Sequence, residues 1–189
     1  MQADTLSGGF AAPPVDAAHA FRAVMRVMAR PGTIEAVTGA TPPAPLSVAA
    51  GTVLLTLCDP ETPVHLAGVA DCAAVRDWIT FHTGTPLVAR AEAMFALGSW
   101  EALLPLDGYP VGTAEYPDRS ATLIVEMAPL EATGARLTGP GIAEAAALSL
   151  PEIAAFQANA RAFPLGLDFL FTCGDRIAAL PRSTRVEGQ

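Results

Sequence analysis

Apolar residues recur at helical spacing after Asp16, where Phe21, Val24, Met25 and Met28 make one stripe and Asp16 is placed to cap a helix running to about Ala29. Arg30-Pro31-Gly32 stops that helix. Thr33 to Val37 reads as a short strand, Thr41 to Pro45 as a proline-rich loop, and Leu46 to Cys58 as a mostly apolar helix. After the rigid turn Asp59 to Pro63 come a strand at Val64 to Leu66 and a helix capped by Asp71. That helix carries Val75, Trp78 and Ile79 on one side through about Phe81, and Gly84 closes it. Pro86 to Leu97 reads as extended, Trp100 to Leu104 as a helical turn, and Ser120 to Met127 alternates as a strand does. Ser149-Leu150-Pro151-Glu152 has the form of a capping box, predicting a helix to about Ala162 that ends at Phe163 to Gly166. Leu167 to Thr172 and Ile177 to Leu180 then read as two strands joined by a tight turn at Gly174-Asp175.

Strands alternating with helices predict a layered α/β domain, and the final hairpin predicts a mixed sheet. The 189 residues suit one domain. Residues 1–15 read as a lead-in and 184–189 as a frayed tail, and there is no internal repeat.

Composition narrows the possibilities. The longest apolar run, Val48 to Cys58, is interrupted and too short to span a bilayer, and the first ten residues lack the layout of a secretory signal, so a soluble cytoplasmic protein is expected. Cys58, Cys72 and Cys173 are odd in number and widely spaced, which fits free thiols better than disulfides or a metal cage. A net charge of −8 argues against nucleic-acid binding. All 11 cationic side chains are arginines. With no lysine in the chain, an internal Schiff base is excluded. Arginine fits phosphate, phosphonate and carboxylate bidentately, so the positions of these arginines carry the information.

Arg22, Arg26 and Arg30 fall at i, i+4 and i+8, beside His19, and read either as an anion-binding stripe or as a solvated face with scattered acidic partners. Arg30 stands out because it sits on a sharp helix-to-strand junction. The richest segment is Pro110 to Ser120, in which Glu115, Tyr116, Asp118 and Arg119 crowd a long irregular loop; a ligand site and a turn closed by an Asp118–Arg119 salt bridge both fit it. Thr138-Gly139-Pro140-Gly141-Ile142 is a turn whose backbone is open to an anion, or simply a turn. Pro181 to Arg185 adds two arginines and two hydroxyls that a solvated tail would equally explain. No nucleophile elbow, phosphate loop or zinc-protease helix is present, and His65 and His82 lack metal-ligand spacing, so no metal site is expected.

Six segments in register resemble the PhnH family of carbon-phosphorus lyase subunits. They are Phe21 to Ile34, Leu57 to Thr62, Gly112 to Ser120, Leu137 to Ile142, Asn159-x-x-x-Phe163-Pro164-x-Gly166-x-Asp168, and Leu180 to Thr184. The resemblance implies a three-layer α-β-α sandwich with a mixed sheet, like the pyridoxal-phosphate-dependent transferases but without their cofactor. It implies a homodimer within a complex holding the G, I, J and L subunits, in which it works with the G, I and L subunits to install alkylphosphonate on the ribose of ATP, giving ribose 1-methylphosphonate 5-triphosphate. In that family the nucleosidase chemistry is credited to the I subunit, so a structural adaptor is the alternative role and no catalytic residue is assigned here. The binding or interface candidates are Arg30, Thr33, Glu115, Tyr116, Asp118, Arg119, Ser120, Gly139, Gly141 and Arg182. Arg30 and Arg119 are expected to hold phosphate-like oxygens, and Glu115 or Asp118 to accept a ribose hydroxyl or orient an arginine.

Overall fold

Alternate residues of each long strand go to opposite sides of a six-stranded sheet, and this alternation divides the core in two. A computed structural model describes residues 6–188. Its helices are α1 (Pro13–Ala29), α2 (Val48–Leu57), α3 (Ala73–Thr83), α4 (Trp100–Leu103) and α5 (Ile153–Arg161). The strands are β1 (Glu35–Ala36), β2 (Val64–Leu66), β3 (Phe95–Ser99), β4 (Thr122–Glu126), β5 (Ala135–Thr138), β6 (Ala146–Leu148), β7 (Asp168–Cys173), β8 (Arg176–Leu180) and β9 (Arg185–Glu187). The large sheet has the order β1-β8-β7-β4-β3-β2, with β2, β3, β4 and β7 parallel, β8 antiparallel to β7, and β1 antiparallel to β8.

Leu97, Ile124, Leu170, Ile177 and Ala179 face a core made by α1, α2 and α3, with Val27, Val53, Leu54, Trp78 and Ile79 fully buried. Leu123, Val125, Phe169, Phe171 and Leu180 face the second core, where Phe156 of α5 packs edge-on against Phe169 and Phe171 and lies against Trp100. The architecture is therefore α/β with a mixed sheet, as expected, but the third layer is not all helix. It contains a small antiparallel sheet, β6-β5-β9, whose Leu137, Leu148 and Val186 complete the second core.

Four further expectations are corrected. The tail from Thr184 is not frayed up to the last described residues: β9 pairs with β5, Thr184 and Val186 are buried, and a polar tail gains order because one apolar residue covers the core. The lead-in ends earlier than residue 15, since α1 starts at Pro13, and Asp16 reaches back to accept the Ala12 amide at 2.8 Å instead of standing at the N-cap. Upstream, the Ser7 carbonyl accepts the Trp78 indole N–H at 2.8 Å; residues 1–5 of the lead-in lie outside the described residues. The buried stripe of α1 is Ala20, Ala23, Val24 and Val27, while Phe21 and Met25 face outward, because small residues let α1 lie close against α2 and β8. The capping box before α5 does not close: Ser149 Oγ instead accepts the Glu131 amide at 2.9 Å, and Glu152 accepts from the Trp100 indole at 3.3 Å.

Ser47 does cap α2, accepting the Ala50 amide at 3.1 Å, and Gly84 ends α3 in the left-handed conformation at φ 68°. Among the described residues no helix is long and apolar enough to cross a membrane.

Candidate functional site

Five of the six marked segments meet at one place, the amino ends of β4 and β7. There the 112–120 loop enters β4, the Asn159 to Gly166 segment enters β7, and Pro181 to Ser183 leaves β8 alongside. The 139–142 turn closes in from the small sheet and the end of α1 from the other side. Two adjoining hollows of about 500 and 710 Å³ form a cleft here, sharing Pro140, Gly141, Phe163, Arg182 and Ser183. The sixth segment stays apart. Around Asp59 to Thr62 the chain caps itself: Asp59 accepts the Glu61 amide at 2.8 Å and the Thr62 hydroxyl at 2.6 Å, which hold its carboxyl below the usual range.

Arg182 is the keystone of the cleft. Its backbone amide donates to Asp168 at 2.8 Å, and its guanidinium grips the same carboxylate through Nε at 3.2 Å and Nη2 at 2.5 Å. Nη1 donates to the carbonyls of Pro117 at 2.7 Å and Pro164 at 3.5 Å, and Nη2 also donates to Ser120 Oγ. All five guanidinium N–H groups are therefore matched by acceptors on three different segments. With its side chain only 13% exposed, Arg182 ties the loop, the α5–β7 connection and β8 together, and it has no fork left for a ligand.

The same economy explains the neighbouring motif. Asn159 donates to the Leu167 carbonyl at 2.8 Å and accepts the Leu167 amide at 2.7 Å, pinning the end of α5 to the start of β7. A side chain on Gly166 would meet Asn159 Oδ1 at 2.8 Å, so glycine is required there. Gly141, at φ 80°, passes so close to α1 that a Cβ would come within 1.9 Å of the Ala29 carbonyl oxygen.

The sequence-predicted residues thus divide. Asp118, Gly139, Gly141 and Arg182 line the cleft, and Ser120 lies under Arg182 as its acceptor. Glu115, Tyr116 and Arg119 occupy the exposed outer lip of the same loop. The Asp118–Arg119 salt bridge is not formed; the Arg119 guanidinium instead lies 4.1 Å above the Tyr116 ring. Arg30 and Thr33 sit just beyond the cleft, past Met28 and Ala29 of its wall, and Arg30 is exposed. Of the arginine stripe, Arg26 is spoken for: its Nε donates to Glu35 Oε1 at 2.6 Å, and that contact draws the Glu35 carboxyl below its ordinary range. Asp168, Phe163, Pro164 and Arg185 belong to the cleft as well and were missed as site residues. Asp168 was the one with a signal, an acid opening a strand directly opposite Arg182.

This placement is unusual for a ligand site, because open α/β sheets bind ligands beyond the carboxyl ends of their parallel strands. That opposite edge carries a hollow of about 630 Å³ lined by Ser99, Trp100, Glu101 and Glu126 among others. Glu126 is itself occupied, accepting the Ser47 amide at 2.8 Å and the Thr172 hydroxyl at 3.0 Å. Cys58 is no nucleophile, since burial pushes its thiol up to about 12.

The family described as bacterial phosphonate metabolism protein (PhnH) matches residues 8–187 of the chain. The chain is 40% identical, over 195 aligned positions covering 98% of both proteins, to the alpha-D-ribose 1-methylphosphonate 5-triphosphate synthase subunit PhnH of Rhizobium meliloti (strain 1021). It is 28% identical, over 94% of both chains, to the putative C-P lyase subunit protein HtxG of Stutzerimonas stutzeri.

Proposed function

From the premise that this chain belongs to the PhnH family of bacterial phosphonate metabolism proteins, we propose that it is a subunit of an alpha-D-ribose 1-methylphosphonate 5-triphosphate synthase in carbon-phosphorus lyase phosphonate catabolism. In this reading it acts with the G, I and L subunits on ATP and methylphosphonate, has the J subunit as a further partner, and is not active alone. The observation that carries the non-autonomous role is the Arg182 clamp. The buried charge of the cleft is spent on tying the 117–120 loop, the α5–β7 connection and the end of β8 together, and among the described residues no nucleophile is hydrogen-bonded to a base there. What remains for substrate or partner is the exposed lip: Arg119 and Arg30 for phosphate-like oxygens, Glu115 and Asp118 for a hydroxyl or a partner's arginine.

The adaptor reading is favoured by the same clamp and by the position of the cleft at the amino ends of the strands. In either role the protein is proposed to be a cytoplasmic homodimer. Its layered sheet is proposed to be related to that of the pyridoxal-phosphate-dependent transferases, without the cofactor, as a chain with no lysine cannot tether it.

Reconstitution of the synthase from purified subunits with ATP and methylphosphonate tests this. Product is expected only when this chain is present, and Arg119→Ala and Glu115→Gln are expected to lower its rate at least tenfold with assembly intact. Equal product without the chain would sink the subunit assignment. Full activity of both variants would sink the lip as a substrate contact and leave the adaptor role.

A further inference from the structure

Phe21 and Met25 fall at i and i+4 on the outward side of α1, 48% and 51% exposed, and Met28 follows at i+7, half-buried against the helical core. The stripe is about 10 Å long at 1.5 Å per residue. It does not stop at the helix end. Met28 is also a wall of the cleft, whose floor continues the apolar surface through Pro140, Pro164 and Phe163, itself 59% exposed. A helix that hides its small residues and presents its phenylalanine and methionine to solvent has apolar residues on two sides, and among the described residues only the inner side is covered.

Arginines outnumber acids around this groove, although the exposed Asp118 also lines the cleft. Arg22 stands beside Phe21 and Met25, Arg161 follows the cleft residue Ala160 at the end of α5, and Arg185 lines the cleft. All three are exposed, and none makes an ion pair among the described residues, in contrast to Arg26, Arg76, Arg136 and Arg182. Glu101, Glu126, Glu131 and Glu152 lie at the other end of the sheet, near the carboxyl ends of β3 and β4.

We infer that this groove docks an acidic amphipathic helix of a different polypeptide, with apolar residues at i, i+4 and i+7 against Phe21, Met25 and Phe163 and carboxylates against Arg22, Arg161 and Arg185. A second copy using the same face would bring one arginine-bearing groove against another, with no acidic helix to match either. A second copy offering its acidic edge would make a head-to-tail contact that closes only at special angles. The occupant is therefore another chain, and this rests on the protein's being a subunit of a larger assembly.

The test places a photo-reactive benzoylphenylalanine at position 21 of the full-length chain. A control carries it at position 81, where Phe81 is 60% exposed on α3 away from the arginine rim. Each is assembled with the other synthase subunits, irradiated and mapped by mass spectrometry. Position 21 is expected to crosslink to one partner segment with helical apolar spacing and an excess of acids, and position 81 is not. Phe21→Ser with Met25→Ser, and separately Arg22→Glu with Arg161→Glu, are expected to weaken assembly at least tenfold, the charge pair losing its effect in high salt. These are exposed positions, so an unchanged circular dichroism melt separates docking from folding. If wild type assembles but position 21 crosslinks to a second copy or to a segment without acidic excess, or if the serine variants assemble with wild-type affinity, the docking face is overturned and the subunit role stands. A wild-type chain that never enters the assembly overturns both.

Discussion

At the scale of single residues, the chemistry of this protein turns on the difference between a charged group that is available and one that is engaged. Arg182 and Arg119 look alike in sequence, each following a proline-containing turn at the edge of a strand. One is locked into Asp168, Ser120 and two carbonyls, and the other rests on an exposed tyrosine ring. Removing one partner of an enclosed ion pair strands the other charge, so Arg182→Ala is expected to destabilise the fold by about 3 kcal/mol in urea unfolding. Arg182→Lys is expected to recover little, because a point charge cannot reach acceptors arrayed around a planar fork. A loss below about 1 kcal/mol for the alanine variant would mean the clamp is dispensable. The candidate residues were legible as a group because polar types and glycines cluster in short segments. Which of them are engaged was not legible, since Asp168, Ser120 and Arg182 lie 14 and 62 positions apart in pairs that only the β7–β8 register brings together.

At the scale of elements, long strongly patterned segments were readable and short ones were not. β4, β7, β8, α2 and α3 fall close to where alternation and helical spacing place them. The small sheet was missed for physical reasons. β6 is Ala146-Ala147-Leu148, a sequence with better helix than strand propensity, and β5 and β9 have four and three residues, too few for a period to register. Their pairing is fixed by tertiary cover, with Leu137, Leu148 and Val186 packed beneath the aromatic cluster of the second core. α1 was misread for a related reason: hydrophobic size predicted that Phe21 and Met25 point inward, whereas close helix packing selected alanine and valine. The consequence for β9 is measurable. Deleting Thr184 to Gln189 removes the burial of Val186 and uncovers Leu137, so stability is expected to fall by about 2 kcal/mol or more. A truncated chain with the same urea midpoint would restore the frayed-tail reading.

At the scale of the whole molecule, two electrostatic effects act in opposite directions as pH falls, and their magnitudes decide the profile. The net charge of −8 at pH 7 makes the compact state repel itself, and protonation toward the isoelectric point near 4.7 relieves this. Against it stand Glu35 beside Arg26 and Asp71 beside Arg76, both carboxyls held below their ordinary values first by the arginine hydrogen bond. A carboxylate depressed in the folded state contributes stability above its unfolded pKa of roughly 4 and loses it as pH falls through the lower folded value. Both pairs are partly exposed and screened by water, so their contribution is small. Between pH 7 and 5 the pairs are intact while repulsion fades, so the urea midpoint is expected to hold or rise. Below pH 4 the pairs are lost as the net charge turns positive, and the midpoint is expected to fall. The doubly substituted Glu35→Gln, Asp71→Asn chain is expected to be less stable than wild type at pH 7 and to converge on it by pH 3. Urea melts of both chains at pH 7, 5 and 3 separate the contributions by sign: relief of net-charge repulsion alone would make the variant, with two fewer negative charges, the more stable chain at pH 7, whereas loss of the paired carboxylates makes it the less stable one.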